Sequence, residues 1–380
     1  MAGLGKSIDR MRASRCDMIP RCGDAQTGRT ITRLQSGWMN AQGRCGDNAP
    51  MIDFPADCPE RELLQALLRA PVDAAAFAAH FALSQDALGR HIEALRQSGI
   101  AIVMPRIGEY ALAQPLELLD AAAILAQLSA RAQAGLASLQ VAWQITSTND
   151  ALLQQPPPTQ GARVLLAEQQ TAGRGRRGRH WASPLAANLY LSLDRRFSAG
   201  LARLSGLSLV AGIAVAEALR THTGLDVRLK WPNDLWLAEH KLGGLLVEGG
   251  SEPGGAARAV IGVGVNVRMP PLFAPHIEQA WADLAGALGD MPSRNALVAV
   301  VLEHLLPALD VFDAQGLTPF LARWQALDGL AGRNVQVKTA GGDFNAQVVG
   351  LAENGGLRVQ TENGEQVLHS GEVSVRPENG

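Results

Sequence analysis

Val260-Ile-Gly-Val-Gly-Val-Asn-Val267 is an almost unbroken apolar run of eight residues. A half-exposed strand alternates apolar with polar residues, so a run like this fits the middle of a sheet covered on both faces. It commits the surrounding chain to a layered fold built on a sheet. Leu204, Leu207, Ala211, Val215, Ala218 and Leu219 supply a helical stripe, and Leu297, Val301, Leu305 and Leu309 begin another helix. Val227, Leu229 and Trp231 alternate with Arg228 and Lys230 as a half-buried strand. Residues 115–328 therefore read as an α/β or α+β domain. At roughly 150 residues per domain, the 380-residue chain has room for two or three.

The flanks differ from this middle. Residues 1–57 show neither a helical nor a strand period and read as a disordered or mis-started extension. In 58–114, Leu63, Leu64, Leu67 and Leu68 make one helical face ending at Ala70-Pro71, and Asp73 can cap a second helix carrying Phe77, Ala78 and Phe81. A third helix from Gln85 points Leu88, Ile92 and Leu95 inward and leaves Gln85, Arg90, His91 and Arg96 for solvent; Gly99 closes it. Two strands follow around Pro105-Arg106-Ile107-Gly108. Three helices and a hairpin resemble a winged helix-turn-helix, whose third helix enters a major groove, which makes those four polar residues DNA-contact candidates. Five arginines against six carboxylates leave this stretch at net −1, whereas phosphate contact wants positive charge. A module that packs or regulates without touching DNA stays open. Residues 329–380 alternate short apolar strands with Gly341-Gly342, Asn354-Gly355-Gly356 and Asn363-Gly364, which predicts hairpins and a small SH3-like barrel.

Composition narrows the function classes. Hydrophobic residues are 47 % and charged residues 18 %, which rules out disorder over most of the length. Lys plus Arg is 34 against 36 for Asp plus Glu, so the whole chain is not a coat for a polyanion. No stretch approaches about 18 unbroken apolar residues, and residues 1–15 lack a signal-peptide core; a cytoplasmic address is the expectation. Cys16, Cys22, Cys45 and Cys58 all fall in the first sixth of the chain at spacings unlike a zinc site, and read as unpaired thiols.

The chemistry concentrates in a few segments. Gly173, Gly175 and Gly178 form a literal G-x-G-x-x-G, with Asp194 near the spacing of a ribose-binding acid. A dinucleotide fold needs those glycines to open a packed helix, but here Arg174, Arg176, Arg177 and Arg179 fill the loop and Trp181-Ala-Ser-Pro184 follows. A mobile loop whose guanidiniums clamp a phosphate or carboxylate suits the composition better. Lys230-Trp-Pro-Asn-Asp234 ends a strand and turns, and Lys241 opens a strand with glycines just beyond it. Asn266 is polar inside the apolar run and either bonds a neighbour or faces a ligand.

Ser147-Thr-Asn149, Gln170-Thr-Ala-Gly-Arg-Gly-Arg-Arg-Gly-Arg179, Lys230–Asp234 with Lys241-Leu-Gly-Gly244, and Gly262–Asn266 stand in the order found in biotin protein ligases. The resemblance covers about 58–380 and is to the bifunctional type, ligase and biotin-operon repressor. It implies an α+β multidomain protein: an N-terminal winged helix-turn-helix, a central class II synthetase-like α/β catalytic domain, and a C-terminal SH3-like β-barrel. It implies biotin-binding roles for Ser147, Thr148, Asn149, Gln170, Gly173, Arg174, Arg176, Trp181 and Lys241. Lys241, Arg176 and Arg174 would be catalytic. Asn233, Asp234, Asn266 and Arg376 would face ATP, with Asp234 on the Mg²⁺ side.

The implied reaction activates biotin with ATP as biotinyl-5′-AMP and transfers it to a lysine of a biotin carboxyl carrier protein. The resemblance further implies a homodimer when loaded with biotinyl-AMP, and operator DNA as a partner. A lipoate ligase of related fold is the competing enzyme reading; a protein that is chiefly a transcriptional regulator is the competing reading from another class.

Overall fold

The computed structural model describes residues 59–369 and 373–377, apart from 199, 201–203, 253–254 and 340–341; for 373–377 it describes the backbone. The extension 1–57 and the four cysteines lie outside the described residues.

The described chain begins with α1 (Pro59–Arg69), β1 (Val72–Asp73), α2 (Ala74–His80), α3 (Gln85–Gln97), β2 (Ile102–Arg106) and β3 (Glu109–Leu112). Local chemistry sets the boundaries. Asp73 accepts the Ala76 N–H at 2.7 Å and Ser84 accepts the Ala87 N–H at 3.1 Å, each satisfying an orphan donor at a helix start. Leu63, Leu64 and Leu67 of α1 meet Leu88, Ile92 and Leu95 of α3 in one apolar cluster, each burial giving roughly 1.5–3 kcal/mol. The two-residue β1 joins the hairpin to make a sheet ordered β1-β3-β2, a strand too short to show any period in the sequence.

His91 and Arg96, expected on the solvent side with Gln85 and Arg90, are half-buried. His91 Nδ1 is 2.7 Å from Glu60 on α1, and Arg96 donates to the Ile102 carbonyl at 3.1 Å. Both turn back because α1 and the hairpin offer acceptors on that flank. Gln85 and Arg90 are exposed as expected.

The central region runs α4 (Ala121–Gln127), α5 (Ala130–Ala134), β4 (Leu136–Ile145), α6 (Thr148–Leu153), β5 (Ala162–Gln170), β6 (Leu189–Phe197), α7 (Leu207–Thr223), β7 (Arg228–Lys230), β8 (Asp234–Leu237), β9 (His240–Ser251), β10 (Ala257–Val265), α8 (Leu284–Leu288), α9 (Arg294–Gln315) and α10 (Leu321–Leu327). Its sheet has the order β4-β5-β6-β10-β9-β8-β7, with β10 in the centre as its apolar run predicts. Only β4 and β5 are parallel; every other neighbouring pair is antiparallel.

Alternate residues of the strands serve two different layers. On one face Val164, Leu166, Ile261, Val263 and Val265 join α7 and α9 in the main core. On the other, Leu165, Ala167 and Val260 pack with Leu152 of α6. By length and composition α9 is the one helix among the described residues apolar enough to cross a membrane, but most of it is buried in this core. Asp194 is fully buried and ion-paired with Arg258 at 2.9 Å, so it is committed to the interior rather than to a ribose.

The last five strands, β11 (Asn334–Thr339), β12 (Gly342–Leu351), β13 (Leu357–Thr361), β14 (Gly364–Leu368) and β15 (Val373–Pro377), form an antiparallel sheet ordered β14-β13-β12-β11-β15. Val335, Val337, Val348, Leu357 and Val359 continue the main core. Trp231 Nε1 donates to the Gly355 carbonyl at 3.1 Å, tying the central sheet to this β-rich end. The Arg376 backbone lies opposite Gln336 on β11; its side chain is outside the described residues.

Candidate active site

The face of the central sheet not covered by α7 and α9 carries a cavity of about 800 Å³. The alternation in β10 makes it. Ile261, Val263 and Val265 point into the core, which leaves Gly262 and Gly264 on the cavity side. A Cβ on Gly264 would lie 2.7 Å from the Trp181 ring, and one on Gly262 would lie 2.6 Å from Asn149 Oδ1. The two glycines are therefore what lets an aromatic ring and an amide approach the strand.

One end of the cavity is polar and tightly bonded. Ser147 caps α6, its hydroxyl accepting the Asp150 N–H at 3.3 Å. Gln170 Oε1 accepts the Thr148 N–H at 2.9 Å, and Gln170 Nε2 donates to Ser183 at 3.3 Å. Asn149 is buried and spends its amide on Glu248 at 2.8 Å and on the Leu246 carbonyl at 3.2 Å.

The other end is cationic. Lys241 Nζ is 2.9 Å from Asp234 Oδ1 and 5.6 Å from the centre of the Trp181 ring. Its backbone is held by the 280–282 segment, donating to Ala280 at 3.1 Å and accepting from Ala282 at 3.0 Å. Asn266 fastens the same place from the buried side, donating to the Lys241 carbonyl at 3.3 Å and to Ala282 at 3.0 Å. Asn266 bonds these neighbours and also lines the cavity, so the two roles open to it in the sequence coexist. Trp181 Nε1 is buried against Gly264 without a hydrogen-bond partner among the described residues.

The glycine-rich loop folds over this end without forming a helix beyond a single turn at Arg176–Gly178. Arg177 there takes a positive φ of 58°, followed by Gly178 at 70°. Arg176 donates to Asn233 Oδ1 at 3.0 Å, while Asn233 Nδ2 donates to the Leu245 carbonyl at 2.8 Å. Burial pulls the Arg176 pKa below its ordinary value, and the neighbouring charges of Arg177 and Arg179 add to that, against an opposing pull from Asp234. A guanidinium desolvated among other cations is stabilised when an anion arrives. Arg174, matched to a reacting cation, instead bonds Asp150 and Glu248, the latter at 3.1 Å. Burial works against its charge, but the two carboxylates more than offset this and hold its pKa above the ordinary value. Gly173 lies behind the cavity wall, where a Cβ would meet Ser183 Oγ at 2.7 Å and the Trp181 carbonyl at 2.8 Å.

The structure thus gathers Ser147, Thr148, Asn149, Gln170, Arg174, Arg176, Trp181, Asn233, Asp234, Lys241 and Asn266 around one cavity. Sequence reasoning missed Asp150, Glu248 and Ser192, whose contacts span up to about a hundred residues, and the 276–281 segment, which has no periodicity to read. No group of three or more His, Cys, Asp or Glu able to hold a metal ion occurs among the described residues.

Residues 140–266 match the Biotin/lipoate A/B protein ligase family, and 331–376 match the Biotin protein ligase C terminal domain. The Escherichia coli bifunctional ligase/repressor BirA is 38 % identical over 294 residues, spanning 77 % of this chain and 89 % of that protein. The Bacillus subtilis protein of the same name is 27 % identical over 304 residues, with 77 % and 90 % spanned. Among solved structures, the Aquifex aeolicus biotin protein ligase in complex with biotin and ATP is similar at a TM-score of 0.55 and 29 % identity, over 63 % of this chain and 99 % of that one. With the loop, the Lys241–Asp234 pair and the β10 glycines in one cavity, and these similarities along most of its length, the chain belongs to the biotin protein ligase family.

Proposed function

We propose that this protein joins biotin to ATP to give biotinyl-5′-AMP and pyrophosphate, and then transfers the biotinyl group to a lysine of a biotin carboxyl carrier protein, releasing AMP. The observation that carries the reading is the cavity's division into a hydrogen-bonding end and a cationic end joined by the arginine loop. Ser147, Thr148 and Gln170 receive the biotin ring system, and Trp181 packs beside its chain. Lys241 and Arg176 meet the carboxylate and the α-phosphate. Asn233, Asp234, Asn266 and Arg376 belong to the nucleotide side.

In the first step a biotin carboxylate oxygen attacks the α-phosphorus and pyrophosphate leaves. In the second the carrier amine attacks the mixed-anhydride carbonyl, loses a proton, and AMP leaves. Negative charge grows on the departing pyrophosphate in the first step and on the attacked carbonyl oxygen and departing AMP phosphate in the second, so fixed cations there lower the barrier without an enzyme nucleophile. Arg174 acts mainly as the fastener of the loop, since two carboxylates already share its guanidinium.

The single carboxylate of Asp234, already accepting from Lys241, is no cage for a cation. Asp234 could supply the one protein carboxylate of a Mg²⁺ site, and the ion would there neutralise phosphate charge. Purified protein mixed with ATP and either biotin or lipoate tests the reading: AMP formation and carrier labelling with biotin alone support it, and labelling with lipoate alone overturns it.

The domain limits proposed are 58–114, 115–328 and 329–380, with the first a winged helix-turn-helix and the last a small barrel. A second role, biotinyl-AMP-dependent repression, is favoured by exposed Gln85 and Arg90 on α3 and by the hairpin tip, where Ile107 is fully exposed beside Arg106. In this reading the adenylate favours a homodimer that presents two such helices to one palindromic site. Gel shifts on DNA upstream of biotin-synthesis genes, with and without biotinyl-AMP, test it; a protein that stays off DNA at saturating adenylate is a ligase only.

A further inference from the structure

The Thr148 hydroxyl lies 2.7 Å from Ser192 Oγ on β6. Thr148 is on the cavity wall, whereas Ser192 is fully buried behind it. Which of the two supplies the proton between them is settled one residue further on. Asn149 Nδ2 meets the Leu246 carbonyl at 3.2 Å and, at 2.8 Å, the Glu248 carboxylate that is ion-paired with Arg174. Both of these accept, so the amide orientation follows from its neighbours. Asn149 Oδ1, which carries no proton, then faces Ser192 Oγ at 2.6 Å.

Two oxygens this close need a proton between them, and only Ser192 has one to give to Asn149. The contact between Ser192 and Thr148 therefore uses the Thr148 proton. The competing acceptor, Gln170 Oε1, is farther from the Thr148 hydroxyl at 3.2 Å and already accepts the Thr148 N–H.

We infer that Ser192, oriented by Asn149, is a specificity-determining positioning residue that takes up the Thr148 proton and leaves the Thr148 oxygen an acceptor only. A ligand group seated there must bring its own N–H or O–H. Ser147 beside it has the opposite polarity. Its oxygen accepts from Asp150, and its own proton has no acceptor among the described residues, so it can donate to a ligand oxygen. An acceptor next to a donor matches the N–H and C=O of a cyclic urea; a dithiolane ring offers neither. This rests on the biotin reading of the cavity and adds how the ring is selected.

The test is calorimetric affinity for biotin and for the two cyclic carbamate analogues, each with one ring N–H replaced by oxygen. The proteins are wild type, Ser192→Ala, Thr148→Val and the double variant. Losing a hydrogen bond to a buried acceptor predicts that wild type prefers biotin over one carbamate by about 30-fold, and that Ser192→Ala lowers the preference to about fivefold or less. In the Thr148→Val background, Ser192→Ala should change biotin affinity by less than about twofold, because the two act as one unit. An unchanged preference in Ser192→Ala, or an undiminished loss in the Thr148→Val background, overturns the inference and leaves Ser192 as packing. If Ser192→Ala does not fold, Ser192→Cys, with its weaker donor, is expected to lower the preference partway, and a wild-type ratio in that variant overturns the inference. Wild type that binds no biotin at all overturns the biotin reading itself, which separates the two failures.

Discussion

Arg174 Nη2 lies 3.1 Å from both carboxylate oxygens of Glu248 and also bonds Asp150, so one guanidinium fastens the glycine-rich loop to β9 and to α6. The loop arginine nearest the polar end of the cavity is thus held by two carboxylates, while Arg176, bonded to Asn233, is desolvated beside the charges of Arg177 and Arg179.

Glu248→Gln should loosen the loop while keeping an acceptor for Asn149. A partly exposed ion pair is worth on the order of 1 kcal/mol, so biotinyl-AMP should leave about fivefold faster. Single-turnover release of labelled adenylate measures this; a rate equal to wild type contradicts the fastening role.

Lys241→Ala should suppress adenylate formation far more than it affects folding. Removing a fixed cation from the developing charge costs on the order of 3 kcal/mol, about a hundredfold in rate. Pyrophosphate release gives the rate and thermal melting gives the fold. Wild-type release by the variant refutes the assignment.

Gly264→Ala should act through Trp181. The added methyl would sit 2.7 Å from the indole and displace the ring from beside Lys241. Misplacing groups at a reacting centre by about an ångström costs up to about a hundredfold. The expected result is slower adenylate formation with folded protein by circular dichroism, and activity within twofold of wild type counts against it.

Arg294→Met should be costly for stability rather than chemistry. Arg294 is fully buried, 2.7 Å from Glu168, and also donates to the Asn188 carbonyl at 3.1 Å and the Glu117 carbonyl at 2.8 Å. Removing one member of a buried pair leaves an uncompensated charge, a loss of about 3–5 kcal/mol. Urea unfolding measures it. Adding Glu168→Gln should recover part of the loss, because the stranded charge is then gone.

Local pattern carried the elements that a short stretch of chain can specify by itself. The Val260–Val267 run identified the central strand, since a buried strand must be apolar on both sides, and the β10 position agrees. Ser84 and Asp73 marked helix starts because a cap lies within three residues of the amide it satisfies. The segments around Gly173, Asn233 and Lys241 were legible as chemistry because their residue types suit a ligand wherever the fold places them, whereas Ser147-Thr-Asn149 entered through the family resemblance alone.

Tertiary structure decided what each of those residues is free to do. Arg174 and Arg176 are two residues apart in the same loop, yet one is fastened by Asp150 and Glu248 and the other lies half-buried against Asn233. His91 and Arg96 look solvent-facing on a helical period until α1 and β2 supply their acceptors. The proton order from Asn149 through Ser192 to Thr148 depends on α6, β6 and β9, which meet only when the sheet assembles and α6 packs on it. Hydrogen-bond direction and the desolvation of charge depend on every neighbour within a few ångströms, and most of those neighbours are tens to a hundred residues distant along the chain.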